Sequence, residues 1–201
     1  MSGRVVIAAE RRVLDDFFKV DEFDVSHRQF DGAMSAVQKR LVFERGDAVA
    51  VLLFNVDRKS VVLVEQFRLP ALIGRRRNHP STDDAWLLEA VAGMIDRGEM
   101  PEAAAVREVF EETGYGVQAL EPVGHFFASP GGTSERIFLY FAQVADADRV
   151  GAGGGLGDED VHVVEMPVED LFARIGQGLL EDPKLIIAAY WLRDRLRGSG
   201  D

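Results

Sequence analysis

The stretch from Gly93 to Tyr115 constrains this chain more than any other, because it joins a well-bounded helix to a charge pattern that a helix alone would avoid. Pro101 suits the first helical position, Glu102 complements the positive end, and Gly114 suits the position just past the end, so a helix is predicted over Pro101–Thr113. Successive helical residues turn by about 100°. Ala103, Val106 and Phe110 then gather on one, apolar side, and Glu108, Glu111 and Glu112 gather opposite them. Like charges so spaced weaken a helix by about a few tenths of a kcal/mol. The liability becomes useful if cations sit over the stripe, and oxygen-only ligands favour Mg²⁺, Mn²⁺ or Ca²⁺ over zinc. An isolated pair of helical glutamates is ordinarily a solvated face. Here Gly93 stands in a tight turn before the helix, where a backbone carbonyl can point at a metal. Arg107 lies four residues before Glu111 and can pair with it, or with Glu99, and so fix the array.

Composition narrows what such cations would serve. The chain has 201 residues, which suits one domain with a small extension, and a net charge of −11. So acidic a chain repels free nucleic acid and anionic membranes, and neither is expected as a partner. A phosphorylated substrate meets the same field, so its binding calls for local positive charge, which a divalent cation supplies. The absence of cysteine excludes disulfides, zinc–thiolate sites and thiol nucleophiles, and agrees with a cytoplasmic location. Met1–Glu10 runs into Arg11 and Arg12 without a signal-peptide layout, and no apolar run is long enough to span a membrane. His27, His79, His125 and His162 show no metal-ligand spacing and read as structural or surface residues.

Along the chain, N-terminal strands are predicted within Val5–Phe30 and over Val37–Phe43, with Asp31-Gly32 as a hairpin turn. Asp47–Asn55 and Val61–Phe67 read as buried strands joined by a polar turn. Gly74–Asp84 reads as a polar loop whose Arg75, Arg76 and Arg77 form a solvated surface. Strands follow at Trp86–Val91, Val117–Phe127, Ile137–Val144 and Val161–Met166, and Ser129–Gly132 is a turn. Gly151–Gly157 is glycine-rich and expected to be mobile. Helices are predicted over Glu169–Gly178 and Pro183–Arg197, the second packing through Leu185, Ala189, Leu192 and Leu196. The fold class is α/β (α+β), with few helices.

Gly93, Glu99, Arg107, Glu108, Val109, Glu111, Glu112, Gly114 and Tyr115 reproduce a known signature at every fixed position. It resembles that of the Nudix hydrolases: G, five residues, E, seven residues, R-E-U-x-E-E-x-G-U, where U is bulky and apolar. Tyr115 is a slightly unusual last U. The resemblance implies a Nudix fold, a mixed β-sheet sandwiched between helices, over residues 47–201, behind a β-rich extension over residues 1–46. It also implies a reaction in which water attacks a phosphorus of a nucleoside-linked diphosphate, assisted by two or more ions, Mg²⁺ or alternatively Mn²⁺. Glu65–Arg68, Trp86–Ile95, Ala128–Arg136 and Phe17–Gly46 resemble the bacterial ADP-ribose pyrophosphatases. GDP-mannose pyrophosphatases share the S-P-G-G-x-x-E turn and a glycine run before acidic residues, similar to Gly153–Asp160. The expectation is therefore hydrolysis of ADP-ribose to AMP and ribose 5-phosphate. GDP-mannose is the alternative substrate. A non-catalytic nucleotide-sugar sensor is more remote, since it would be expected to have lost some metal carboxylates.

By position, the resemblance makes the Ala92 carbonyl and the carboxylates of Glu108 and Glu112 metal ligands, with Glu159 arriving when its acidic loop closes. Gly93, Glu99, Arg107 and Gly114 take structural roles in the signature. Arg68 and Glu89 resemble substrate-pocket residues, and Glu135 a substrate-contacting glutamate. Phe17, Phe18, Arg40 and Arg45 fall where the family builds its nucleotide site across a homodimer interface, although the two phenylalanines read equally well as core. Gly157 is a departure, because the family often places its catalytic base there. Asp158, Glu159 and Glu111 are left as candidates for that role.

Overall fold

A computed structural model describes residues 3–157 and 159–198. Contacts divide the chain into two units, Met1–Asp47 with Phe126–Ile137, and Ala48–His125 with Phe138–Asp201.

The first unit holds an antiparallel sheet of β1 (Val5–Asp15), β2 (Lys19–His27) and β3 (Gln38–Glu44), in that order. Asp31-Gly32 does turn the chain between β2 and β3. Gly32 takes a φ of 91°, and the Ala33 amide donates to the Asp31 carboxylate at 2.9 Å. All of β1 is exposed, with Val5, Val6, Ile7, Val13 and Leu14 each about half accessible. Residues 126–137 join this unit where the Phe43 amide donates to the Gly132 carbonyl at 2.8 Å. Arg136 pairs there with Asp47.

The second unit is built on a sheet ordered β10-β5-β4-β9-β8, with β6 beside β5 and β7 beside β4. Its strands are β4 (Ala48–Asn55), β5 (Ser60–Phe67), β6 (Trp86–Glu89), β7 (Val91–Met94), β8 (Glu121–Phe127), β9 (Arg136–Val144) and β10 (Val161–Pro167). Its helices are α1 (Leu69–Arg76), α2 (Pro101–Thr113), α3 (Val168–Gly176) and α4 (Pro183–Gly198). Every residue of β4 is buried, as its unbroken aliphatic run requires. Side chains alternate across a strand. Val49, Val51 and Leu53 therefore pack with Val62, Val64 and Val91 against Ala104, Ala105 and Val109 of α2. The opposite side of β4 is closed off by α4, whose Leu185, Ala188, Ala189 and Leu192 are buried. The sheet thus lies between helices, as expected.

Several local expectations are corrected. Residues 69–76 form a helix, whose last residues Gly74–Arg76 were expected to begin the Gly74–Asp84 loop: Pro70 sits in its first turn, and Arg75 hydrogen-bonds the carbonyls of Asp84 and Trp86 and pairs with Glu181. Arg75 is therefore no solvated residue. The Trp86–Val91 strand is two strands broken at Ala90, and β8 begins only at Glu121. On α2, the apolar side carrying Val106 and Phe110 is the exposed one, at 39% and 48% accessibility. The buried stripe is Ala104, Ala105, Val109, Glu112 and Thr113, because two alanines let the helix lie close on the sheet. On α4, Leu196 lies beyond the buried stripe and is exposed. No helix among the described residues is long and apolar enough to cross a membrane.

Candidate active site

The alternation of β5 sets the site. Val62 and Val64 face α2, so Gln66 faces the same way, two residues further along. It meets the end of the buried stripe, where its amide donates to Glu112 Oε1 at 2.7 Å. The Ala92 amide, in β7, donates to Glu112 Oε2 at 3.2 Å. Both oxygens of a carboxylate only 3% exposed are thereby oriented. Burial pushes this carboxyl up to about 7, against the pull of the two donors, and the charges of Glu108 and Glu159 push it further. Gly93 lies opposite Val49 on the α2-facing side of β7. A Cβ at Gly93 would fall within the Glu108 carboxylate, so the missing side chain is the cradle in which Glu108 rests. Burial raises the Glu108 carboxyl as well, with Arg107 opposing and Glu111 and Glu159 adding to the rise.

Arg107 organises the rest of the array. Its guanidinium donates to Glu99 at 3.0 and 3.1 Å, to Glu108 at 2.8 Å, to Glu111 at 3.1 Å and to the Met94 carbonyl at 3.0 Å. The Glu99 bond, foremost, and those to Glu108 and Glu111 raise the Arg107 pKa despite burial. Gly114 ends α2 in a left-handed conformation with φ 76°. The glycine run that follows β9 docks on that end. The amides of Gly154 and Gly155 donate to the carbonyls of Glu112 and Glu111, at 2.8 and 3.1 Å. A Cβ at Gly153 would lie 2.6 Å from the Glu112 carbonyl, so glycine there permits a close approach. The run therefore satisfies carbonyls that a helix end leaves open. Glu159, exposed, accepts the Leu156 amide at 3.0 Å, and Asp158 lies outside the described residues.

These residues suit divalent cations. Glu108 and Glu112 are gathered by one helix turn, share only oxygen donors, and carry pKa values raised by burial and by neighbouring carboxylates, a deficit of positive charge that bound cations would relieve. Among the described residues, no three acidic or histidine side chains are yet drawn tightly around one point.

Arg68 and Glu89 form the neighbouring part. Arg68 follows Gln66 by two residues, in extended conformation, about 7 Å further along the same face. Its Nε donates to Glu89 Oε2 at 2.6 Å while the side chain is 41% exposed. Glu89 is 4% exposed and also accepts from Lys184 Nζ at 3.1 Å. Within the first unit, Arg45 lies 3.6 Å from Glu135, and Arg40 turns to Gln38 and to the Lys39 carbonyl. Phe17 and Phe18 are 87% and 44% exposed, so they are not core. They stack edge to face on each other, and Phe18 also does so on Phe43. Sequence reasoning missed Gln66, Asp182 and Lys184. An amide at the inward register of an otherwise aliphatic strand was the available signal for Gln66. Asp182, just before Pro183, carried a helix-start signal but nothing that tied it to Ala90, and nothing local marked Lys184.

Comparison with known proteins follows the same lines. The NUDIX domain pattern matches residues 44–187. A GDP-mannose pyrophosphatase of Cronobacter sakazakii is 36% identical over 201 residues, covering 100% of both chains. An ADP-ribose pyrophosphatase of Escherichia coli is 39% identical over 193 residues, covering 94% of this chain and 88% of that one. A crystal structure described as an ADP compounds hydrolase superposes with a TM-score of 0.68 at 21% identity, covering 98% of this chain and 97% of the other, a likeness of fold.

Proposed function

This chain belongs to the NUDIX family, and from that premise we propose that it hydrolyses the diphosphate bridge of a nucleoside diphosphate sugar, ADP-ribose before others. The oxygen of water bonds to one phosphorus, the bridging P–O bond breaks, one proton is released, and AMP and ribose 5-phosphate leave. The observation that carries the reading is the buried Glu112, oriented through both oxygens beside the cradled Glu108. These two carboxylates, with the Ala92 carbonyl and Glu159, would hold Mg²⁺, or Mn²⁺ in its place. Such ions supply charge neutralisation for the diphosphate and acidity for the attacking water. Arg107 keeps the carboxylates apart and aimed, and the Arg68 guanidinium meets a phosphate oxygen. Glu135 with Arg45, Arg40, Phe17 and Phe18 are assigned to the nucleotide end.

Glu159 is the base in this reading. Glu111 is engaged by Arg107, whereas Glu159 is exposed and accepts the Leu156 amide of its own loop. Glu159→Gln should lower kcat about a hundred-fold with KM little changed. A fall below threefold would move the role to Glu111 or Asp158.

The exposed apolar residues of β1 support a homodimer formed through residues 1–46, since an exposed apolar patch is where a partner surface is buried. Sedimentation at the monomer mass would refute it. GDP-mannose is the second reading, favoured by the relative that matches end to end. A panel of ADP-ribose, ADP-glucose and GDP-mannose, ranked by kcat/KM with Mg²⁺ and again with EDTA, decides. ADP-ribose should rank first and EDTA should stop every reaction. No turnover of any of the three would remove the proposal. The cytoplasm is the proposed location.

A further inference from the structure

Glu89 lies in a charge cluster whose far side, Lys184 and Asp182, takes no part in the proposed catalytic step. Its Oε2 accepts from Arg68 Nε and its Oε1 from Lys184 Nζ, which also donates to Asp182 Oδ1 at 2.7 Å. Asp182 is 1% exposed and starts α4. It accepts the amides of Lys184 at 3.2 Å and Leu185 at 3.2 Å, and the Ala90 amide at 3.1 Å. Ala90 is the break between β6 and β7, so Asp182 ties α4 to the strand pair bearing Glu89 and Ala92. Burial works against the Lys184 ammonium, yet Asp182 and Glu89 outweigh it and its pKa is raised. The cluster holds two carboxylates and two cations, so its charges balance.

The balance has a consequence for Arg68. Lys184 occupies one oxygen of Glu89, and Arg68 is joined to the other through Nε alone. The two terminal nitrogens of the guanidinium have no partner among the described residues, on a side chain 41% exposed. A fork held at its base and open at its tips is suited to bidentate contact with a phosphate. If Lys184 were removed, Glu89 would be left buried with both oxygens for Arg68 to satisfy. The fork would then turn inward.

We propose that Lys184, anchored by Asp182, is a positioning residue that keeps Arg68 presented to the diphosphate by occupying the far oxygen of Glu89. The inference rests on the reading of Arg68 as a substrate contact. The test is a double-mutant cycle on the full-length protein with Mg²⁺, using whichever of ADP-ribose and GDP-mannose the wild type turns over. Lys184→Met should raise KM about tenfold with kcat within threefold, and Lys184→Arg should recover most of the loss. In an Arg68→Met background, itself raised in KM, Lys184→Met should add less than twofold. An equal effect in both backgrounds, a loss confined to kcat, or an unchanged KM overturns the proposal. If Lys184→Met does not fold, Lys184→Gln is put through the same cycle on the same criteria. A wild-type KM in Arg68→Met sinks the role of Arg68 and this proposal with it. A wild type inactive on both substrates sinks the functional reading itself.

Discussion

Glu112→Gln should lower kcat by about a thousand-fold or more if, as proposed, Glu112 is an anionic metal ligand worth several kcal/mol to the transition state. The protein should remain folded. The introduced carboxamide retains one oxygen for the Ala92 amide, and Gln66 can turn its own amide to accept the new donor. Stability supplies the control. The Glu112 carboxyl is raised from 4.5 to about 7, so the folded chain binds this proton more tightly than the unfolded one. Its contribution to stability is present in full below about 4.5 and is lost as the pH rises through about 7. Metal-free wild type therefore has at pH 8 a buried charge that its two donors only partly offset, which the glutamine variant lacks. In EDTA, Glu112→Gln should melt higher than wild type at pH 8, with the gap closing at pH 5. A variant that hydrolyses substrate at the wild-type rate would overturn the site.

Gly93→Ala should cost activity of the same order by another route. The Cβ would occupy the position of the Glu108 carboxylate. Gly93 is not among the residues with left-handed φ, so alanine strains no backbone there. What must move is the end of a flexible side chain, which leaves the stability nearly unchanged, within about 1 kcal/mol. Activity should fall with little change in Tm, and the affinity for Mn²⁺ should fall with it. Gly176→Ala, with open space around the added carbon, should match wild type in both activity and Tm. Full activity in Gly93→Ala would show that Glu108 does not act from this cradle.

How much of this was legible depended on the kind of signal. The limits of α2 could be read to the residue, because Pro101 and Gly114 act locally on φ and on the open amides and carbonyls of the helix ends. The buried strands β4 and β5 were legible to within one residue for a similar reason, as a β-branched run has few other uses. The buried face of α2 was not legible. Val106 and Phe110 are the larger apolar residues, yet Ala104 and Ala105 are the ones that face the sheet. Helical periodicity ranks faces by hydrophobicity, whereas close packing on β4 and β7 rewards small size.

By itself, then, the sequence determined the carboxylate helix, its caps and the signature around it, all set by neighbours within a few residues. Only the tertiary structure decided that Glu112 is buried against Gln66 and Ala92, that the glycine run caps α2, and that Lys184 reaches Glu89 across 95 positions. Those outcomes depend on which strands lie side by side. A burial cost or an ion pair between distant segments exists only once the sheet has brought them together.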